Sequence, residues 1–165
     1  MRIRLSGEVI DSIVDGPGLR LSIFTQGCPH RCPGCHNPHT HDFQGGYVSD
    51  TDALIARMKA DPLLSGITLS GGEPFAQAAQ CLELALGARA LGLSVWVYSG
   101  YTYEELTDMA DPAAALLRQC DVLVDGRYDI SQRSLTLKFR GSRNQRLIDL
   151  KATLERGEVT VLKEM

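Results

Sequence analysis

Ile67-Thr68-Leu69-Ser70-Gly71-Gly72-Glu73-Pro74 decides the fold of this 165-residue chain. Residues 67–70 read as a short buried strand that stops at two glycines. A long helix is expected from about Pro74 to Leu91, with Gly92 as its stop, and a second strand follows over 94–98. Two short apolar strands joined by a helix of that length make a βαβ crossover, the unit of a parallel sheet. Outward from it the pattern repeats. Strands are expected at 19–25, 122–124, 135–139 and 159–162, with an edge strand at 2–10. Helices are expected at 51–60, capped by Ser49 or Asp50, after the capping-box pair Thr102 and Glu105, after Asp111-Pro112, and over 147–156 before Gly157. The expected fold class is α/β with a mostly parallel sheet of about five to six strands. A closed eight-unit barrel takes roughly 250 residues, so an incomplete β/α barrel or an open sheet is expected, as one domain over 1–165.

Composition narrows the classes. Hydrophobic residues make up 44% and charged residues 22%, which fits a folded soluble domain and argues against disorder. No apolar run is long enough to cross a bilayer, and the N-terminus has no signal-peptide core, so a cytoplasmic location is expected. A net charge of −3 is too small to argue for nucleic acid over the whole chain. The charge is uneven. Residues 1–126 hold 8 Lys+Arg against 15 Asp+Glu (8 − 15 = −7), and residues 127–165 hold 9 against 5 (9 − 5 = +4).

Cysteine usage points to chemistry. Cys28, Cys32 and Cys35 lie within eight residues, and His30, His36, His39 and His41 fall in the same stretch. Pro29, Pro33 and Gly34 argue against a helix there, so the segment is a loop after a strand that can wrap three thiolates around one object. Two sites fit three thiolates: a structural zinc with one histidine as fourth ligand, or a 4Fe-4S cluster with one iron left for another ligand. Cys81 and Cys120 sit in helical patterns and read as buried structural thiols. Taken alone, the Gly71-Gly72-Glu73 segment is only a tight turn at the ligand-binding end of a parallel strand.

The C-x3-C-x2-C spacing followed by Gly-Gly-Glu one strand later resembles the radical S-adenosylmethionine (SAM) superfamily. More narrowly, the chain is similar to the family that activates the anaerobic (oxygen-sensitive) ribonucleoside-triphosphate reductase. The likeness rests on six stretches, in order: residues 15–20 (DGPGLR), 27–38 (GCPHRCPGCHNP), 69–74 (LSGGEP), 95–101 (VWVYSGY), 122–128 (VLVDGRY) and 139–146 (FRGSRNQR). The resemblance implies a partial barrel of the radical SAM type and an oxidoreductase-type activase. It implies Cys28, Cys32 and Cys35 as ligands of three irons, with SAM chelating the fourth. Gly71, Gly72 and Glu73 would line the methionine moiety, and Gly34, Cys35 and His36 the adenosyl part. Cleavage of SAM would then give a 5′-deoxyadenosyl radical that takes a hydrogen atom from a glycine of the reductase.

One position departs from the pattern. Many superfamily members carry an aromatic residue before the third cysteine, where this chain has Gly34, so His36 or the Gly34 backbone is left to meet adenine. Tyr98, Ser99, Asp125 and Arg127 stand at strand ends where a cofactor or cation could be held, against plain packing or turn roles. Asp15 to Gly18 is a turn that the resemblance makes a candidate partner-facing loop. The basic run Arg140 to Arg146 is either a solvated face or a docking or cofactor contact. A flavodoxin or ferredoxin is the expected electron donor, and no nucleic acid or membrane is expected. Two other functions compete: a small radical SAM enzyme acting on a small molecule, such as a 7-carboxy-7-deazaguanine synthase, and a zinc-binding interaction module.

Overall fold

The computed structural model describes residues 1–35 and 38–162. Seven strands form one sheet: β1 (Arg2–Ser12), β2 (Arg20–Thr25), β3 (Tyr47–Asp50), β4 (Gly66–Gly71), β5 (Ser94–Tyr98), β6 (Val122–Asp125) and β7 (Arg146–Asp149). Five helices accompany them: α1 (Thr51–Ala60), α2 (Ala78–Ala90), α3 (Tyr103–Thr107), α4 (Ala113–Gln119) and α5 (Leu150–Arg156). The sheet order is β3-β1-β2-β4-β5-β6-β7. The four central strands β2, β4, β5 and β6 are parallel, and β1, β3 and β7 are antiparallel additions. The sheet stays open, with β3 and β7 at its edges, so the architecture is a partial barrel.

Strand order advances in one direction from β2 to β6, so crossovers of the usual right hand put their helices on one face. On that face Ile67, Leu69, Val95, Val97 and Leu123 pack with Leu54, Leu84, Ala88 and Leu116 in one continuous core. The alternate residues Trp96, Val122, Val124 and Leu147 form a second cluster on the opposite face, joined by Tyr98 and Phe139. β5 and β6 are therefore apolar on both faces and read as near-continuous apolar runs, whereas β2 and β4 alternate and turn the buried polar residues Arg20, Ser22 and Thr68 to the second face.

Local signals hold at several ends. The Asp50 carboxylate accepts from Asp52 N at the start of α1, and Thr102 with Glu105 forms the full capping box of α3. Gly92 (φ +76°) follows α2 as expected, although Pro74–Gln77 forms a separate 3-10 turn before that helix. Pro112, not Asp111, occupies the cap position of α4.

Four expectations are corrected. β1 is not an edge strand, because β3 covers it. Three of the four β3 residues are exposed, so β3 has no apolar periodicity to read. Residues 135–139 form no strand, since the place beside β6 is taken by β7. β7 begins where the last helix was expected, and Asp149 then caps α5 through Ala152 N. The strand expected at 159–162 reduces to a single bridge between Ile148 and Val161.

Arg20 joins the sheet to the turn before it. Its side chain is fully buried, and its guanidinium donates to Thr68 Oγ1 (2.9 Å), Pro17 O (3.0 Å), Ser94 Oγ (3.0 Å) and Ile67 O (2.7 Å). Burial pushes its pKa down to about 10. Arg20→Met is expected to leave these acceptors without donors, costing about 2–4 kcal/mol. A urea melt checks this; an unchanged midpoint would rule out the stitching role.

Candidate cofactor site

The carboxyl ends of parallel strands are where such sheets bind ligands. Here a cavity of about 270 Å³ opens at those ends. Cys28, Cys32 and Cys35 line it together with Ser70, Gly71, Gly72, Tyr98, Ser99 and Gly100. Most of the residues singled out in the sequence thus meet in one place.

The cysteine segment is a loop, as its prolines require. Gly27 (φ +105°) turns the chain out of β2, and its amide bonds Thr40 O at 2.7 Å. Cys28 N then donates to His41 O (3.3 Å), and Cys35 N closes a tight turn onto Cys32 O (3.1 Å). None of the three cysteines forms a disulfide, and all are half-buried. Burial raises the pKa values of Cys28 and Cys32, while the backbone amides of His30 and Tyr128, respectively, pull the other way by stabilising the thiolates. Two backbone amides therefore already favour the thiolate forms of Cys28 and Cys32.

The Gly71-Gly72 turn is plaited into this loop. Gly72 N donates to Thr25 O and Glu73 N to Gly27 O, both at 2.8 Å. A Cβ on Gly71 (φ +96°) would stand 2.4 Å from Thr25 N, and one on Gly72 would stand 2.4 Å from Gly27 O. Glycine is needed here because neighbouring backbone fills the space, as well as because the turn faces the cavity.

Glu73 is placed differently from the two glycines. Its side chain is fully buried, and its carboxylate accepts from Ser99 Oγ (2.9 and 3.0 Å), Gly100 N (2.8 Å) and Phe75 N (3.1 Å). His30 Nε2 lies 2.6 Å away, with the His30 side chain only 4% exposed. The His30 ring also meets Tyr101 edge to face at 4.5 Å. Glu73 thus ties the cysteine loop to the end of β5. Sequence reasoning weighed His30 only as a metal ligand and missed this clasp, because nothing in the spacing links residues 30, 73 and 99.

The other strand-end residues divide. Tyr98 and Ser99 line the cavity. The Asp125 carboxylate is held by Arg146 (3.0 and 2.5 Å) and by Tyr103 N (2.8 Å), which leaves it poorly placed to take a cation. Arg127 is exposed, faces Glu105 at 3.9 Å, and lines a separate hollow with Cys32 and Tyr128. Asp125→Asn is expected to loosen the end of β7 by about 1–3 kcal/mol, read by faster amide exchange at Arg146 and Leu147. Gly34 lies on the loop at φ +72°, and His36 falls outside the described residues.

The thiols test which group fits. Among the described residues no three His, Cys, Asp or Glu side chains gather as ligands of one ion. All three cysteines line the same cavity. That arrangement suits a cluster, in which each cysteine meets a different iron, better than one tetrahedral zinc.

Comparison with known proteins agrees. The family described as a 4Fe-4S single cluster domain matches residues 14–148. The partial-barrel fold is shared with QueE from Escherichia coli, at a TM-score of 0.51 and 18% identity over 62% of this chain and 54% of that one. Three relatives carry the name anaerobic ribonucleoside-triphosphate reductase-activating protein. That of Vibrio cholerae is 38% identical over 141 residues, covering 81% of this chain and 89% of the relative. Those of Escherichia coli K12 (34%) and phage T4 (31%) also match 81% of this chain, covering 90% and 86% of their own lengths. The chain belongs to the family of anaerobic ribonucleoside-triphosphate reductase-activating proteins.

Proposed function

We propose that this chain, acting as one radical SAM domain over 1–165, activates an anaerobic ribonucleoside-triphosphate reductase by placing a radical on one of its glycines. The observation that carries the reading is the meeting of Cys28, Cys32 and Cys35 with Gly71 and Gly72 at one open cavity. When bound, the 4Fe-4S cluster supplies the electron that splits SAM into methionine and a 5′-deoxyadenosyl radical, which removes hydrogen from the glycine. The three cysteines hold the cluster. The backbone of Gly71 and Gly72 would meet the methionine end, and Ser70, Tyr98 and Ser99 line the same cavity. Glu73 acts through His30, keeping the cysteine loop against the sheet.

An external one-electron donor of the flavodoxin or ferredoxin kind completes the reaction. We place the protein in the cytoplasm, acting without nucleic acid or membrane. Among the described residues no helix is long and apolar enough to cross a membrane. Anaerobic reconstitution followed by reduction with dithionite is expected to convert SAM to methionine and 5′-deoxyadenosine. Purification with stoichiometric zinc and no iron or sulfide would overturn the reading.

A further inference from the structure

Residues 15–18, a candidate partner-facing loop, and 140–146, a solvated face or a docking or cofactor contact, contribute to one groove through Asp15, Arg140 and Gly141. This groove, of about 330 Å³, opens beside the cofactor cavity, and the two share Asp15, Tyr98 and Gly141. Val14, Leu135, Leu137 and Phe139 supply the groove's apolar lining. Leu135 (83% exposed) and Val14 (71%) are the most exposed large apolar side chains among the described residues, and Ile13 beside them is 68% exposed. Scattered apolar exposure is ordinary, but a contiguous apolar patch at the mouth of a site marks a contact surface.

The charge around the groove is also unlike the rest of the molecule. Residues 127–146 hold six Lys or Arg (Arg127, Arg133, Lys138, Arg140, Arg143, Arg146) and one acid, Asp129. Arg133 and Arg140 line the groove itself. Arg133, Lys138 and Arg143 are exposed. Arg127 faces Glu105, Arg146 is held by Asp125 and Glu104, and Asp15 lines the groove. The exposed cations Arg133, Lys138 and Arg143 are therefore what this rim offers an acidic partner, against a net charge of −7 over residues 1–126.

We infer that this groove receives an extended segment of the partner protein, with a bulky apolar side chain near the target glycine and carboxylates on its flanks. The inference rests on the activating function proposed above. A glycine at the shared edge of Tyr98 and Gly141 would face the cavity, while its neighbours lie along Val14 and Leu135. The rim cations would meet the flanking acids.

The test uses the reconstituted full chain and the reductase from the same source. Leu135→Asp and Arg133→Glu alter exposed side chains and should fold normally. Each is expected to cleave SAM without reductase at the wild-type rate, yet to raise the reductase KM for glycyl-radical formation about tenfold. Arg133→Lys should restore it, and added salt should raise the wild-type KM. Leu63→Asp, 69% exposed and away from the groove, should change nothing. Unchanged KM in both groove variants, with radical still formed, would overturn the groove and leave the function standing. SAM cleavage by the wild type with no radical on the reductase would overturn the function, and the groove with it.

Discussion

Cys32→Ala is expected to reduce bound iron and sulfide to a small fraction of wild type and to slow SAM cleavage at least about 100-fold. The loop explains the size of the effect. Cys32 O closes the turn to Cys35 N, and the Cys32 thiol faces both the cavity and the hollow beside Arg127. Removing that thiol would leave one iron of the proposed cluster without a protein ligand while Cys28 and Cys35 stay in place. The contrast is Cys81→Ala. Cys81 is fully buried among helix residues, and burial pushes its thiol far above the usual range. Its loss should cost about 1–2 kcal/mol of stability and leave iron content unchanged. Iron and sulfide analysis after anaerobic reconstitution separates the two. A full cluster in Cys32→Ala would remove it from the ligand set.

Glu73→Ala carries the second large effect, and it concerns the scaffold before the chemistry. The substitution strands the buried His30 ring, the Ser99 hydroxyl and the Gly100 amide, all of which meet this carboxylate. Removing one member of a buried polar cluster costs about 3–5 kcal/mol, because its partners keep their desolvation penalty. Glu73→Gln should cost less, about 1–3 kcal/mol, since its amide puts one donor against a set of donors. Urea unfolding of the two variants should order them wild type, Gln, Ala. Cluster occupancy should fall in the same order, because His30 sits between two of the cysteines. Wild-type stability in Glu73→Ala would show that the clasp contributes nothing.

The sheet's centre was legible because β5 and β6 are near-continuous apolar runs and β2 and β4 alternate apolar with polar residues, both between turn residues. Its edges were not. β3 is mostly exposed, and β7 shares the apolar residues Leu147 and Ile148 with what reads equally well as the start of a helix. Only the tertiary pairing of β7 with β6 separates the two readings. The same division runs through the site. The cysteines and the two glycines announce themselves by spacing, because a loop that wraps a cluster and a turn that meets backbone each demand particular residue types. The Glu73–His30–Ser99 clasp joins residues from three separate segments, and its members are ordinary one by one. Asp125 shows the converse. Its strand-end position left a cofactor or cation role open beside a plain packing role, and its carboxylate accepts from Arg146.

The central claim is the radical on the partner's glycine. Electron paramagnetic resonance of the reconstituted chain, incubated without oxygen with the reductase, SAM and dithionite, tests it most directly. A glycyl-radical doublet is expected that needs SAM, is absent with Cys32→Ala and disappears on exposure to air. A cluster that is intact and cleaves SAM, yet leaves the reductase without that signal, would contradict it.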